Sequence, residues 1–550
     1  MTYGKSSDGR RIIASSSGPI VKANAFLSFL IASRSLCDMT DISKINVVAR
    51  NRLFPTHPPN PTSTPLSILD ATVLRFAQTA AIWTYERAPS MDHLMTSFIE
   101  TLDAYPQWAG QLRWSSCNPQ GDHTQRQGRL MLAYGLDSDP GVEYIISSTS
   151  CSISSLLPTN DGYNDIKSFP SMELLSADPP LALHNAVDYI GLPCMVVQVT
   201  AFADGGVSIA IKLPHSLADA HTLLRFVHDW ASTNRAMMTG NHRPIHSPIF
   251  NPSLIDRAAA GDIDAPQPDA ALLKISNALP LHRYDCWASA AGCPDFLALA
   301  TIIPPFLRHE DVGPMGHPIP WHEWDATAPV SRYAITFDPS ELQAMWEEAS
   351  SVCRVSHLDA LLAHIWGLII RAQEVGYGEE HYLDVTFNLR SRLSPKLPNE
   401  YLGSPLTLAK VTSTGGDATS NKLGKMAGHI RSSLQSFSSD SLPAFLHEMT
   451  FLAGAQRLWS AFFGRRHTIV TSWLRLGVRD VDFGMGTPNY VDAVMPSCDG
   501  VVQVMEARGK RDSTSESGQW YNDTVIVSLC LREDVMQRLL KDPVLRRYRS

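Results

Sequence analysis

The sequence predicts an α/β protein, because segments with the alternating periodicity of strands are followed by segments with helical periodicity. In the clearest example, residues 195–200 and 207–213 alternate like strands around the turn residues Asp204, Gly205 and Gly206, which predicts a β-hairpin. Leu217 and the apolar residues up to Trp230 then fall largely on one helical face, so we expect a helix directly after His215. A chain of 550 residues has room for two large domains or three smaller ones.

The other elements follow the same reasoning along the chain. A strand and a helix are predicted over 80–85 and 91–103, and the proline-rich residues 236–329 are predicted to form a long crossover with one periodic stretch near 270–279. A second domain is expected from Val330, with the following elements: a helix over 356–371, strands over 382–387, 501–505 and 524–531, and a closing helix over 533–548. We therefore assign 45–235 to an N-terminal domain and 330–550 to a C-terminal one.

Composition excludes several function classes. The net charge of -8 and the pI near 6.2 argue against a surface that neutralises phosphates, so nucleic acid is not an expected partner. The nine cysteines are scattered with no CxxC pair, which favours a reducing, cytoplasmic location. No apolar run reaches the ~20 residues that span a bilayer, so we expect no membrane span.

The N-terminal residues 1–44 have a different character from the rest. The first 37 residues are serine-rich and carry five Lys or Arg residues against one acid, Asp8. Such a composition fits a disordered or poorly defined extension, and it is also shared by transit peptides. We treat 1–44 as an extension outside the folded domains.

One short motif has the composition of a catalytic base. HSLAD (residues 215–219) places a histidine at a predicted strand end, where its imidazole can face a cleft. A neutral imidazole at near-neutral pH can take a proton from an alcohol or amine. His215 is therefore the candidate general base.

Two roles remain open for Asp219, which lies within one helical turn of His215. Its carboxylate could orient the imidazole as in a catalytic triad, or it could fix the loop through an arginine. We favour the loop role, because the short local spacing constrains how the carboxylate can reach the inner ring nitrogen. His221 and His228 follow nearby, but with no HExxH motif and no cysteine pair we predict no metal site.

Several further segments occur in an order that resembles the BAHD acyltransferases, and in particular their fungal, trichothecene 3-O-acetyltransferase-like branch. LSILDAT (66–72) and YPQWAGQLR (105–113) are similar to that family's opening segments, and HSLADA matches its catalytic motif except for Ala220 in place of glycine. NLRSRLSPKLPNEYLGS (388–404) resembles its arginine-rich segment, with Leu402 and Ser404 as departures. DFGMG (482–486) resembles the second signature, with Met485 in place of tryptophan. The resemblance covers about residues 45–545.

The resemblance implies a fold, an activity and a set of site residues. The fold would be two similar chloramphenicol acetyltransferase-like domains, with mixed sheets flanked by helices and a central channel. His215 would be the base, and Asp219 would pair with Arg390 or Arg392, of which we favour Arg390. Asp482, Gly484 and Gly486 would be structural.

The implied reaction is transfer of an acyl group, most simply acetyl, from acyl-CoA to a small-molecule alcohol or amine by a monomeric enzyme with no bound cofactor. Two rival functions use the same fold. A carrier-protein-dependent condensation domain usually has a second histidine where this chain has Pro214. A non-catalytic binding protein would explain the departures from the family pattern, but His215 and Asp219 are both intact.

Overall fold

A computed structural model of the protein contains two large mixed β-sheets. The structure describes residues 13–14, 45–72, 78–153, 167–168, 190–307, 315–420, 422–507 and 518–549. Most of the predicted N-terminal extension lies outside these residues. Its short strand at 13–14 pairs with residues 51 and 52.

Strands and helices are numbered in chain order. The strands are β1 (Ile13–Ala14), β2 (Asn46–Leu53), β3 (Thr62–Pro65), β4 (Gln78–Tyr85), β5 (Gln111–Trp114), β6 (Leu130–Tyr134), β7 (Val142–Ser148), β8 (Lys167–Ser168), β9 (Val196–Ala201), β10 (Val207–Pro214), β11 (Tyr284–Asp285), β12 (His317–Pro318), β13 (Val330–Phe337), β14 (Glu380–Asn388), β15 (Leu406–Thr414), β16 (Leu458–Trp459), β17 (His467–Ser472), β18 (Tyr490–Ala493), β19 (Val501–Glu506) and β20 (Val525–Arg532). The α-helices are α1 (Ile68–Thr72), α2 (Met91–Leu102), α3 (Ala220–Thr239), α4 (Ser253–Asp256), α5 (Ala270–Asn277), α6 (Pro339–Ser350), α7 (His357–Ala372), α8 (Gly415–Thr419), α9 (Leu423–Gln435), α10 (Ser441–Thr450) and α11 (Glu533–Lys541). The 3₁₀ helices are Pro106–Ala109, Asp295–Thr301, Pro305–Leu307, Trp321–Glu323 and Trp520–Asn522.

The two large sheets share a layout. The first has the strand order β1-β2-β7-β9-β10-β4-β18, and the second has the order β15-β14-β17-β19-β20-β13-β8. In each, a hairpin (β9–β10 or β19–β20) lies between a parallel neighbour and an antiparallel one. This mixed α/β architecture confirms the predicted fold class.

Each sheet ends on a strand that comes from the other half of the chain. Strand β18 pairs antiparallel with β4 at the edge of the first sheet, although it follows most of the second sheet in sequence. Strand β8 pairs in the same way with β13 at the edge of the second sheet. The two halves are therefore joined by backbone hydrogen bonds as well as by side-chain packing.

Helices bury apolar faces against both sheets. Helices α2 and α3 contribute Phe98, Phe226 and Trp230 to the core beside the first sheet. Helix α7 is buried along almost its whole length and packs in the core beside the second. These packed layers fix the strand ends on which the site residues lie. No helix among the described residues has the length and apolar composition to cross a membrane.

The hairpin predicted over 195–213 is confirmed, whereas two helix boundaries were wrong. Helix α3 begins at Ala220, not directly after His215, because Asp219 is extended and caps the helix by accepting a hydrogen bond from the Thr222 amide. Leu217 therefore lies in a turn before the helix. The closing helix ends at Lys541, not at Tyr548, since Pro543 disfavours helical backbone at Asp542.

Candidate active site

His215 lies at the end of β10, a strand in the interior of the first sheet. The Leu217 amide donates to the Pro214 carbonyl at 2.9 Å and closes a tight turn around His215. Pro214 and Ser216 on either side are buried, whereas His215 is partly exposed. The backbone on both sides of the imidazole is thus fixed, and part of the residue is exposed.

Asp219 and Arg390 form a buried ion pair between the two halves. The guanidinium of Arg390 donates to both carboxylate oxygens of Asp219, with Nη2 to Oδ1 at 3.0 Å. It also donates to the Thr222 hydroxyl at 3.0 Å and to the Gly403 carbonyl at 3.3 Å. Of the two arginines that we expected, Arg390 is the one that pairs with Asp219.

Arg392 has a different environment. Its guanidinium donates to the carbonyl oxygens of Leu434 at 2.8 Å and Phe437 at 3.4 Å, and its charge lies over the ring of Phe387. These contacts attach the segment after β14 to the end of α9. Arg392 therefore supports the loop that carries Arg390 without contacting Asp219.

The inner nitrogen of His215 contacts a serine that the sequence did not assign to the site. Nδ1 of His215 lies 2.9 Å from Oγ of Ser404, in the loop before β15. Neither carboxylate oxygen of Asp219 bonds to His215 in the described structure. The nitrogen that a triad carboxylate would contact is thus taken by Ser404, while the outer nitrogen, Nε2, is left for a ligand.

A second buried carboxylate, Asp70 on α1, holds Ser404. Oδ1 of Asp70 accepts the Ser404 amide at 2.5 Å, and Oδ2 accepts the Ser67 hydroxyl at 2.6 Å. Gly403 makes this close approach possible, because its φ of +144° favours glycine and a Cβ there would lie 3.0 Å from Oδ1 of Asp70. The LSILDAT segment therefore reaches the site through Asp70.

Burial and charge set the protonation of these groups. Burial lowers the pKa of His215 below its ordinary 6.5, and a hydrogen bond to its own backbone and the charge of Asp219 only partly oppose this. Burial raises the pKa of Asp70 to about 7 against the opposing hydrogen bonds from Ser67 and Ser404. Burial also acts to raise the pKa of Asp219, but Arg390 outweighs it and the net shift is downward. At neutral pH, His215 is thus a neutral imidazole beside a fixed ion pair.

The DFGMG loop lies at the other end of α3. The carboxylate of Asp482 accepts the amides of Gly484 at 2.7 Å and Gly486 at 2.9 Å, both of which have positive φ. Asn234 donates to the Phe483 carbonyl at 2.6 Å, which fastens the loop to α3. Asn234 is roughly 20 Å along the helix from Ala220, so this loop is remote from His215.

His221 and His228, the two histidines that follow His215, both tie α3 to the C-terminal half. Nε2 of His221 donates to the Asn399 carbonyl and Nε2 of His228 to the Gly477 carbonyl, each at 3.0 Å. Each ring thus uses a nitrogen to anchor the helix.

Comparison with known proteins identifies the family of this chain. The model of the Transferase family matches residues 43–269 and 329–544, which is most of the chain. The chain belongs to this family, the BAHD acyltransferases, and is an acyltransferase.

Individual relatives agree with this assignment. Acyltransferase AFT15-1 of Alternaria alternata is 28% identical over 505 residues, which cover 88% of this chain and 94% of that protein. Acyltransferase abl6 of Leptosphaeria maculans is 24% identical over 519 residues, covering 91% and 98% of the two chains. The crystal structure of F. graminearum TRI101 with coenzyme A and deoxynivalenol superposes with a TM-score of 0.60 at 16% identity, covering 88% of this chain and 99% of that one. The structural likeness shows a shared fold.

Proposed function

We propose that this chain is a coenzyme A-dependent O-acyltransferase that transfers an acetyl group to a hydroxyl of a small-molecule secondary metabolite. The observation that carries the proposal is His215, a neutral, partly exposed imidazole held through Nδ1 with Nε2 free to act as a base. The fungal acyltransferase relatives and the binding of coenzyme A by F. graminearum TRI101 support the donor and the acceptor class.

The proposed reaction needs one proton carrier. When Nδ1–H donates to Ser404, the lone pair of Nε2 can take the proton of the acceptor hydroxyl. The oxygen then attacks the thioester carbonyl, the tetrahedral intermediate collapses with loss of the thiolate, and the imidazolium returns its proton to sulfur. The products are the ester and free coenzyme A.

Direct transfer is favoured over a covalent acyl-serine intermediate. Ser404 is the hydroxyl next to His215, and a serine beside a histidine is a common nucleophile. However, Ser404 is 0% exposed, and its amide is fixed by Asp70. Its hydroxyl therefore orients the base and has no access to a thioester.

The other site residues are proposed to support the position of His215 without contacting the reacting atoms. They are Asp219, Arg390, Arg392, Asp482, Gly484 and Gly486. The first pair fixes the turn that carries His215 against the loop that carries Ser404, and the DFGMG residues hold the far end of α3. We further propose that the enzyme acts as a monomer in the cytoplasm, with a channel between its two domains. The free thiols of the described cysteines agree with a reducing compartment.

The proposal is tested by exposing the purified protein to a panel of short-chain, long-chain and aromatic acyl-CoA thioesters without an acceptor. We expect acetyl-CoA to bind and to release free thiol slowly, because water can replace the acceptor at the base. Binding would be measured by calorimetry and thiol release by a colorimetric reagent. If no thioester binds, the coenzyme A assignment is wrong. If only a longer or aromatic thioester binds and turns over, the acetyl assignment alone is wrong.

Replacing Ser404 with alanine is expected to slow acyl transfer by roughly 2- to 12-fold, because a single hydrogen bond contributes about 0.5–1.5 kcal/mol. The change should appear in kcat more than in the binding of acyl-CoA, since Ser404 contacts the base. Ser413→Ala is a matched control, because Ser413 is also buried but its hydroxyl has no hydrogen-bond partner in the described structure. Complete loss of activity in Ser404→Ala, together with an acylated Ser404 in the wild type, would instead show a covalent route.

A further inference from the structure

A compact group of metal-ligating side chains lies in the second half of the protein, apart from the acyl-transfer site. His282, Asp384 and His467 each offer one ligand atom, and these atoms all lie within 4.8 Å of one another. The three side chains are deeply buried, with exposed fractions of 8%, 0% and 2%. They come from three separate segments: the residues before β11, the middle of β14 and the start of β17.

The distances within the group match those between ligands of one ion. Nε2 of His282 lies 3.2 Å from Oδ1 of Asp384, and Nδ1 of His467 lies 3.4 Å from the other carboxylate oxygen, Oδ2, within hydrogen-bond distance. Ligands bound to zinc at about 2.0–2.1 Å in a tetrahedral arrangement are separated by about 3.3 Å. The two measured separations therefore need little adjustment to hold such an ion.

The orientation of the atoms points to the same conclusion. Nε2 of His282 and Oδ1 of Asp384 are at ion-pair distance from each other, but the geometry is not that of a well-directed hydrogen bond, and neither atom bonds to any other group among the described residues. A poorly directed contact at 3.2 Å is compatible with two ligands that share an ion between them. A buried polar atom without a good hydrogen bond destabilises the folded state, and a bound ion would remove that cost.

The negative charge of Asp384 is neighboured by histidines and by no permanently charged side chain that pairs with it among the described residues. Among the described residues, its carboxylate forms no ion pair with lysine or arginine. A buried carboxylate needs a compensating charge, and a divalent cation supplies it. Imidazole and carboxylate together are ligands that suit zinc.

Two tyrosines, Tyr284 and Tyr382, pack around the histidines of this group and would hold their rings in place around a bound ion. The Tyr284 hydroxyl lies 3.5 Å from Nε2 of His467, the ring nitrogen that faces away from Asp384. The ring of Tyr284 stacks on His282 at 4.8 Å, and Tyr382 packs against both histidines. Such partners fix the rotation of ligating imidazoles.

We infer that His282, Asp384 and His467 form a binding site for a divalent transition-metal ion, zinc in the first instance. The ion fastens the crossover segment that carries His282 to strands β14 and β17 of the second sheet. Asp384 lies four residues before the end of β14, roughly 13 Å of strand, and Arg390 lies in the turn beyond that end, so we assign the ion a structural role separate from acyl transfer.

The test is the metal content of the full-length protein expressed with zinc in the medium, measured by plasma mass spectrometry. We expect close to one zinc per chain in the wild type and in His381→Gln, which changes a buried histidine of β14 outside the cluster. In His467→Gln and Asp384→Asn, the zinc content should fall far below one per chain. The reason is that loss of a direct ligand should lower the affinity for zinc by more than the roughly 10- to 100-fold that follows loss of a residue that only orients a ligand. Equal loss from all three variants would overturn the inference.

A second measurement does not depend on how well the variants fold. The wild type is stripped with a chelator and titrated with Co²⁺, and four-coordinate binding would give visible absorption bands that zinc then removes. Because a ligand of the folded state stabilises it, stripping should also lower Tm, and zinc should restore it. A stripped wild type that gives no cobalt bands and no zinc-dependent rise in Tm would show that no such site exists.

Discussion

Replacing His215 with alanine is expected to lower kcat for acyl transfer by about 100- to 10,000-fold, the usual contribution of a general base. The fold should survive, because His215 is partly exposed and, among the described residues, the hydrogen bond of its ring to another side chain is the one to Ser404. Acyl-CoA binding should therefore remain near that of the wild type. The measurement is the steady-state rate with one acceptor, together with thioester affinity by calorimetry.

The matched control for this variant is His228→Ala. His228 also belongs to the segment that follows β10, but its ring anchors α3 to the Gly477 carbonyl and does not face the base. We expect its rate to stay close to that of the wild type. A His215→Ala enzyme that kept more than a small fraction of the wild-type rate would show that another group accepts the proton.

The pH profile adds a second readout of the same base. Since burial lowers the pKa of His215 below 6.5, the neutral form should dominate at pH 7. The wild-type kcat/KM should then be flat near neutrality and fall only as the pH drops below 6.5. The residual activity of His215→Ala should lack this acid limb.

Breaking the Asp219–Arg390 pair is expected to have the largest effect on stability. Arg390→Met leaves the buried Asp219 carboxylate without its cation, and loss of one partner of a buried pair costs about 3–5 kcal/mol. Asp219→Asn should cost less, because an amide oxygen can still accept from the Thr222 amide and cap α3. The free energy of unfolding in urea would give both values, with Arg392→Met as the control for loss of an arginine that has no carboxylate partner in the described structure.

The double variant separates the two roles considered for Asp219. If the pair is structural, Asp219→Asn with Arg390→Met should cost less than the sum of the single changes, because neither charge is then left alone. The rate of Asp219→Asn should fall only as far as its loop is loosened. If Asp219→Asn instead matched the rate loss of His215→Ala at unchanged stability, the carboxylate would be acting on the imidazole.

Local periodicity predicted the elements that carry the chemistry. The β9–β10 hairpin was recognised because its alternation and its turn are local, and this placed His215 at a strand end. The start of α3 was missed because Leu217 fits the apolar face of the helix, whereas the capping of α3 by Asp219 depends on the geometry of that side chain. The pairing of Asp219 with Arg390 came from a family resemblance, since no local pattern connects the two residues.

The rest depends on contacts between distant segments. Ser404 stood out only as a departure from the family pattern, and Asp70 only as part of the opening motif. Their contact with each other, and through Ser404 with His215, depends on three segments that are distant in sequence: helix α1, the end of β10 and the loop before β15. His282, Asp384 and His467 are each isolated in sequence, so motif spacing could not group them.

The exchange of edge strands between the two sheets limits how this chain can be divided. An N-terminal half made alone would expose the backbone groups of β4 that β18 normally covers, and a C-terminal half would expose those of β13. Open edges of this kind recruit strands from other molecules and lead to aggregation. Each half therefore completes the sheet of the other. A chimera in which one half is replaced by that of a relative would also need the edge strand that the replaced half contributes to the other sheet.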